Sequence, residues 1–232
     1  MNNLTRLLVL FSVLFTVFLI GPALLSRQFG PMPLLKVGDV FDLLTPLVLI
    51  PLYWLMLRAG RPAAPSRGES LVFLVFAACW VEGQGMHLAA NSIGHLLKDA
   101  AGSQPYALTY FFDEVLSHYL WHFGIIGLSA LLIYSHWRHA ELEPGLAGPL
   151  AAGILHGLVY FITVVEAGTA PLGVPYPLLV LAIMLAWGRG RLRGRPLLLF
   201  FFITYLTAAL FFAGWALYWG GLPQFSQVGI IE

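Results

Sequence analysis

The sequence predicts an all-α, polytopic integral membrane protein: a seven-transmembrane-helix bundle with its N-terminus cytoplasmic and its C-terminus outside. Three observations carry this expectation. Of the 232 residues, 59% are hydrophobic and only 10% are charged, against roughly 25% charged in an average soluble domain. The apolar residues fall into seven runs, most of them near the roughly 20 residues that a helix needs to cross hydrocarbon. Lys and Arg gather on alternate connections, as the positive-inside rule requires. A net charge of +1 argues against a nucleic-acid partner and against any strongly charged soluble one. The single Cys79 excludes an internal disulfide framework.

The first span covers residues 5 to 26. Arg6 ahead of an apolar core also fits a signal peptide, but Gly21 to Ser26 is a poor small-residue cleavage site, so the run is read as a retained span. The second to fifth spans cover 38 to 58, 70 to 97, 107 to 135 and 146 to 167. Residues 170 to 177 hold Pro171, Pro175 and Pro177 and are read as a tight turn, because proline lacks the donor that continues a helix. The sixth and seventh spans follow at 172 to 188 and 196 to 220, so residues 1–232 form one transmembrane domain with no internal repeat.

The N-terminus and the 2/3, 4/5 and 6/7 connections hold Arg6, Arg58, Arg61, Arg67, Arg138, Arg189, Arg191, Arg193 and Arg195. The other side holds Arg27, Lys36 and Lys98. The first set marks the cytoplasmic side, and topology alone accounts for the Arg-rich 6/7 connection. Trp215, Tyr218 and Trp219 outside, and Tyr53, Trp54, Tyr134 and Trp187 inside, read as interfacial belts. His136 and His139, beside Trp137, Arg138, Glu141 and Glu143, read as solvated surface.

An ionisable side chain in hydrocarbon costs several kcal/mol unless it is paired, so intramembrane charge points to a functional site. Span three carries Glu82, Gln84, His87, Asn91 and His95. Span four carries Asp113, Glu114, Ser117, His118 and His122, and span five carries His156 and, at its end, Glu166. Five of the seven histidines therefore lie in three consecutive spans. Residues four apart share a helix face, so His87, Asn91 and His95 form one stripe and Glu114, His118 and His122 another. Glu82 lies roughly 140° from His87 at about 100° per residue and joins the site only if Gly83 and Gly85 bend the helix.

Depth sorts the same residues independently. At about 1.5 Å per residue, His87, His118 and His156 each lie roughly 15 Å below the outer boundary, Asn91 and Glu114 about 9 Å, and Glu82 and His122 about 21 Å. Asp39, Asp42, His95, Asp113 and Glu166 line the outer rim. Trp121 and Tyr119 are expected to pack around the site. Taken alone, Asn91 reads more readily as an interhelical bridge, His95 as an interfacial residue and His156 as a helix–helix hydrogen-bond partner.

Imidazole and carboxylate together are ligands of zinc and of non-haem iron. The expected metal ligands are His87, Asn91, His95, Glu114, His118, His122 and His156, with Glu82 conditional, for one or two divalent ions, zinc ahead of iron. Glu114 or Asp113 would serve as general base and Ser117 as a hydrogen-bond donor. The expectation is a metal-dependent enzyme, a hydrolase, acting on a lipid or other hydrophobic molecule, with the bilayer as its surroundings. A di-iron oxidase or desaturase is the oxidative alternative, but the adjacent histidine pairs of membrane desaturases are missing. A divalent-metal or proton transporter is the other. It needs polar groups reaching the inner face, where Leu71 to Ala78 and Gly124 to Ile133 are mostly apolar.

Ser92, His95 and Asp113, together with seven spans, resemble the seven-helix intramembrane zinc hydrolases of the alkaline ceramidase and progestin/adiponectin receptor type. The resemblance implies zinc-dependent hydrolysis with those three residues at the site. The chain departs from that pattern in its last span, which lacks the paired His-x3-His, and in its Ser-to-His spacing.

The charge asymmetry is tested by topology: a reporter fused after Glu232 is expected outside the cytoplasm. A cytoplasmic signal would mean an even number of spans and would undo the depth comparison.

Overall fold

The structure, a computed structural model, describes residues 3–32, 34–59, 61, 63–139, 146–192 and 194–230. These residues are helical almost throughout. Seven helices are long and apolar enough to cross a membrane: α1 (Asn3–Leu24), α2 (Val37–Arg58), α3 (Arg67–Leu96), α4 (Gln104–Arg138), α5 (Ala147–Glu166), α6 (Ala170–Trp187) and α7 (Pro196–Trp219). Helices satisfy every backbone donor and acceptor within one segment, which a lipid-facing chain requires. Their ends are marked in the sequence. Ser66 caps α3 in a capping box with Glu69, Ser103 accepts from Tyr106 N at the start of α4, and Gly220 ends α7 with φ +71°.

The connection before α6 is shorter than the three prolines imply. The chain reverses at Ala167–Thr169, where Gly168 takes φ +62°. Ala170–Gly173 is already a helical turn, and a second helical segment begins at Pro175. Proline early in a helix forgoes only a donor that has no intrahelical partner, so it starts the segment instead of breaking it.

Helix contacts close a ring in the order α1, α2, α3, α4, α7, α5 and back to α1, with α6 packed against α7. The most extensive contact joins antiparallel α3 and α4. A Cβ on Gly83 would lie 2.6 Å from Trp121 N, and one on Gly124 would lie 2.7 Å from both Phe76 O and Trp80 N. Glycine therefore lets the two backbones touch, the device by which membrane helices gain packing without a hydrophobic driving force. On the far side, Gly153 of α5 meets Phe200 O of α7 in the same way. Polar bonds add to these contacts: Thr45 Oγ1 donates to Phe18 O at 3.2 Å between α2 and α1, and Tyr205 donates to Ser129 Oγ at 2.9 Å between α7 and α4.

Arg61, Ser135, His136 and Arg195 meet at one end of the bundle, so the 2/3, 4/5 and 6/7 connections share a face. Two inner residues depart from the sequence expectation. Tyr53 is fully buried, with its ring 4.8 Å from Phe11 and 5.9 Å from Trp80, and so belongs to the core and not to a belt. Trp187 and Tyr134 on that face, and Tyr218 and Trp219 at the opposite end, are exposed. His136 is not surface either: it is 1% exposed and its Nε2 is 3.0 Å from Met56 O. Its position near the end of α4 turns it toward α2, where proximity in sequence to charged residues says nothing about facing. The side chain of His139, like Glu141 and Glu143, lies outside the described residues.

The α3–α4 contact is tested by bulk. Gly124→Leu is expected to destabilise the detergent-solubilised protein by about 1–3 kcal/mol, the usual range for overpacking, read as a lower midpoint of thermal unfolding. Gly85→Ala, with nothing within 4 Å of its Cβ, is expected to leave the midpoint unchanged.

Candidate functional site

The α3–α4 register that places Gly83 against Ser117 and Trp121 also sets His87, one turn further along α3, opposite Asp113. Their Nδ1 and Oδ1 atoms are 2.8 Å apart. The contact lies off the line of a ring hydrogen bond, and both atoms are buried without another hydrogen-bond partner. The His87 and His118 rings stand 4.8 Å apart. His118 Nδ1 is 3.2 Å from Ala167 O and 4.0 Å from Glu114 Oε2. His122 Nδ1 is 3.1 Å from Thr169 Oγ1 and 3.0 Å from His118 O, while its Nε2 is buried without a partner. Trp121 stacks on His122 at 3.9 Å. On the α2 side, Gln84 Nε2 donates to Asp42 Oδ1 at 3.4 Å.

The loop after α5 thus fixes two imidazoles: Ala167 through its carbonyl and Thr169 through its hydroxyl. With Nδ1 engaged, the Nε2 atoms of His118 and His122 are left for other work, the orientation found at metal-ligating histidines. The site's ion pairs are made by histidine and carboxylate, without Lys or Arg among the described residues.

One local feature has no signal in the sequence. Phe111–Leu116 forms a π-turn within α4, with Ser117 N–H bonded to Phe112 O. Such a turn inserts an extra residue, and π-turns recur at functional sites. Here it carries Asp113 and Glu114 and changes their angle relative to His118, which an ideal helical count does not include. Ser117 is fully buried and its hydroxyl donates to Asp113 O, so it holds the turn instead of pointing into the site.

The remaining expected residues are placed less centrally. His156 is 2% exposed, but its neighbours are the rings of Phe15 at 4.1 Å, Phe11 at 5.1 Å and Phe200 at 5.2 Å. Equal depth with His87 and His118 did not bring it to them, because depth fixes height and not direction. Glu82 is exposed, since α3 runs uninterrupted through Gly83 and Gly85 and the bend required to turn it inward is absent. His95 and Glu166 are exposed at the end of the bundle opposite Arg61 and Arg195, and Asn91 is half-buried on the His87 stripe. Among the described residues, no three His, Cys, Asp or Glu side chains are grouped closely enough to hold a metal ion in this arrangement.

Beside the His87–Asp113 pair, a cleft of about 270 Å³ opens between α3 and the start of α4, lined by Met86, Ala89, Ala90, Ile93, Thr109 and Phe112. Its lining is almost entirely apolar. Compared with family models, curated proteins and solved structures, the chain matches none.

The buried position of His136 is tested by truncation. His136→Ala leaves the Met56 carbonyl without this partner and is expected to cost about 1–3 kcal/mol, seen as a lower unfolding midpoint, whereas a surface histidine would leave the midpoint unchanged.

Proposed function

We propose that the chain is a membrane-embedded, metal-dependent hydrolase acting on a lipid or other long-chain amphiphile, with the Arg-rich end of the bundle in the cytoplasm and the site opening to the outer leaflet. The observation that carries this reading is the His87–Asp113 pair. Its two buried atoms, 2.8 Å apart and without another hydrogen-bond partner, are an imidazole nitrogen and a carboxylate oxygen, the donor types that zinc takes. His118, tethered through Nδ1, supplies the third ligand. Glu114, 4.0 Å from His118 and with its side chain 36% exposed, has room to swing in as the fourth ligand or as the base. Glu114 would have to move to join this set, since it stands 4.0 Å from His118.

A divalent ion there would polarise a carbonyl or phosphoryl oxygen and lower the pKa of water. The chain's own residues do the rest. Glu114 takes a proton, the Ala167 carbonyl holds the His118 imidazole in orientation, and the apolar cleft seats a hydrocarbon chain with its polar end toward His87. Zinc is favoured over iron because the adjacent histidine pairs of membrane desaturases are missing from the sequence.

Metal analysis of protein purified in mild detergent is expected to give close to one zinc per chain. His87→Ala and His118→Ala are each expected to weaken metal binding by at least the 10–100-fold typical of losing even an outer partner. Glu82→Gln and His156→Ala retain the metal. Glu114→Gln is expected to slow fatty-acid release from lipid vesicles, since an amide cannot accept the proton. Protein without metal, or metal content indifferent to His87 and His118, overturns the proposal.

A further inference from the structure

A second cleft, of about 500 Å³, opens between the start of α3 and the end of α4, at the Arg-rich end of the bundle and away from the histidine cluster. The contacts above and below it account for its shape. Toward the middle of the bundle the Phe76 ring rests on Gly127, where a Cβ would collide with it. At the other end the Arg61 guanidinium stands between the two helices, its Nη1 3.0 Å from Glu69 of α3 and 2.5 Å from Ser135 of α4. Between these two wedges α4 places Ala130, too small to fill the space. The walls, Val72, Phe76, Gly127, Ala130 and Leu131, are apolar, and the polar lining residues Ser66, Glu69 and Tyr134 lie at one end. From Gly127 to Tyr134 the groove follows about 10 Å of helix.

The polar end is built of donors. Both oxygens of Glu69 are engaged, by Arg61 at 3.0 and 3.2 Å and by Ser66 N at 2.8 Å, so the one carboxylate lining the cleft is already neutralised. Ser66 Oγ accepts from Glu69 N, and Tyr134 Oη accepts from Arg138 Nη1 at 2.9 Å, which leaves both hydroxyl hydrogens to be donated. Arg138 is exposed beside Tyr134, its guanidinium 5.6 Å from the ring centroid. Arg67 is exposed between Ser66 and Gly68, both of which line the cleft. An apolar groove ending in two hydroxyl donors and two guanidinium groups complements a molecule with a hydrocarbon chain and an anionic head.

We propose that this cleft is a binding site for one anionic phospholipid, with an acyl chain along Val72 and Ala130 as far as Phe76 and the phosphate at Ser66, Tyr134 and Arg138. Basic pockets between membrane helices are where anionic headgroups are held. The occupant is a lipid and not a free anion, because most of the wall is apolar and a phosphate would leave it uncovered. A second helix, about 10 Å across, is too wide to enter between two helices that bond the same Arg61 nitrogen. The proposal rests on the chain spanning a bilayer, and it does not depend on the outer site holding zinc.

Titration of the full chain in neutral detergent with dioleoylphosphatidylglycerol or dioleoylphosphatidylcholine, followed by native mass spectrometry, tests it. One phosphatidylglycerol per chain is expected to be retained, about tenfold more tightly than phosphatidylcholine. Arg138→Gln, at an exposed position, is expected to weaken retention about tenfold, the loss of one charged hydrogen bond. Ala130→Trp, which fills the groove, is expected to abolish it, and Tyr134→Phe, which folds if the bulkier variant does not, to reduce it several-fold. Arg27→Gln, at the opposite end of the bundle, is expected to bind like wild type. Equal retention of the two lipids, retention indifferent to Arg138 and Tyr134, or displacement of the lipid by glycerol phosphate overturns the site. Release of the chain from membranes by alkaline carbonate would instead remove the bilayer reading on which the site rests, and zinc content in the same samples is judged separately.

Discussion

The glycine contact between α3 and α4 is the constraint on which the site rests. Because Gly83 and Gly124 bring the two backbones together, the helices have one antiparallel register, and that register sets His87 opposite Asp113 and the Gly94 face opposite Thr109. A side chain at Gly83 would press on Ser117 and Trp121, one turn from His87 and Asp113. Packing density in a membrane bundle thus does what hydrophobic burial does in water. It also holds ionisable groups against one another, where each lowers the cost of burying the next.

The fold was legible because length and apolarity are what a bilayer selects for. The expected spans and the seven helices agree to within a few residues, from Asn3–Leu24 to Pro196–Trp219. The site was legible only in part, and the reason is geometric. Spacing along a helix gives height: it put His87 and His118 at one level, and their rings stand 4.8 Å apart, whereas Asp113, counted to the outer rim, meets His87 at 2.8 Å. Spacing does not give the direction each helix turns relative to its neighbours. His156, counted to the same height, faces Phe15 and Phe200, Glu82 is exposed, and His136, read as solvated surface, and Tyr53, read as part of an interfacial belt, turn into the core. The π-turn at Phe111–Leu116 is invisible to any periodic count, since it is an interruption of the period.

The loop following α5 had no chemistry to advertise itself, yet it contributes two of the contacts that orient the histidines. Ala167 acts through its backbone, which every residue shares, and Thr169 through a hydroxyl common in any loop. Gly168 between them takes a positive φ, the conformation that favours glycine. The orientation of His118 and His122 therefore depends on a reversal that the prolines downstream, starting the helical segments of α6, help to keep short.

The distribution of polar groups through the bundle follows from what each depth tolerates. Ionised carboxylate is expensive in hydrocarbon, and here Asp42, Asp113 and Glu114 stand in the half of the bundle away from Arg61 and Arg195, with Glu114 partly exposed and the others paired with Gln84 and His87. Across the middle the polar groups are neutral: Ser129, Tyr53, Tyr160 and Tyr205 are buried and Tyr176 is half-buried. A hydroxyl there costs little once it is bonded, as Tyr205 is to Ser129 and Tyr160 to the Gly173 carbonyl. At the far end the charge returns as Arg61 paired with Glu69. A bundle whose interior needed only to be filled would use leucine and phenylalanine for the middle layer, as α7 does beside it. Three bonded hydroxyls from three helices at the level of Ser129 are the more specific solution, because each fixes the rotation of its own helix about the axis of α4.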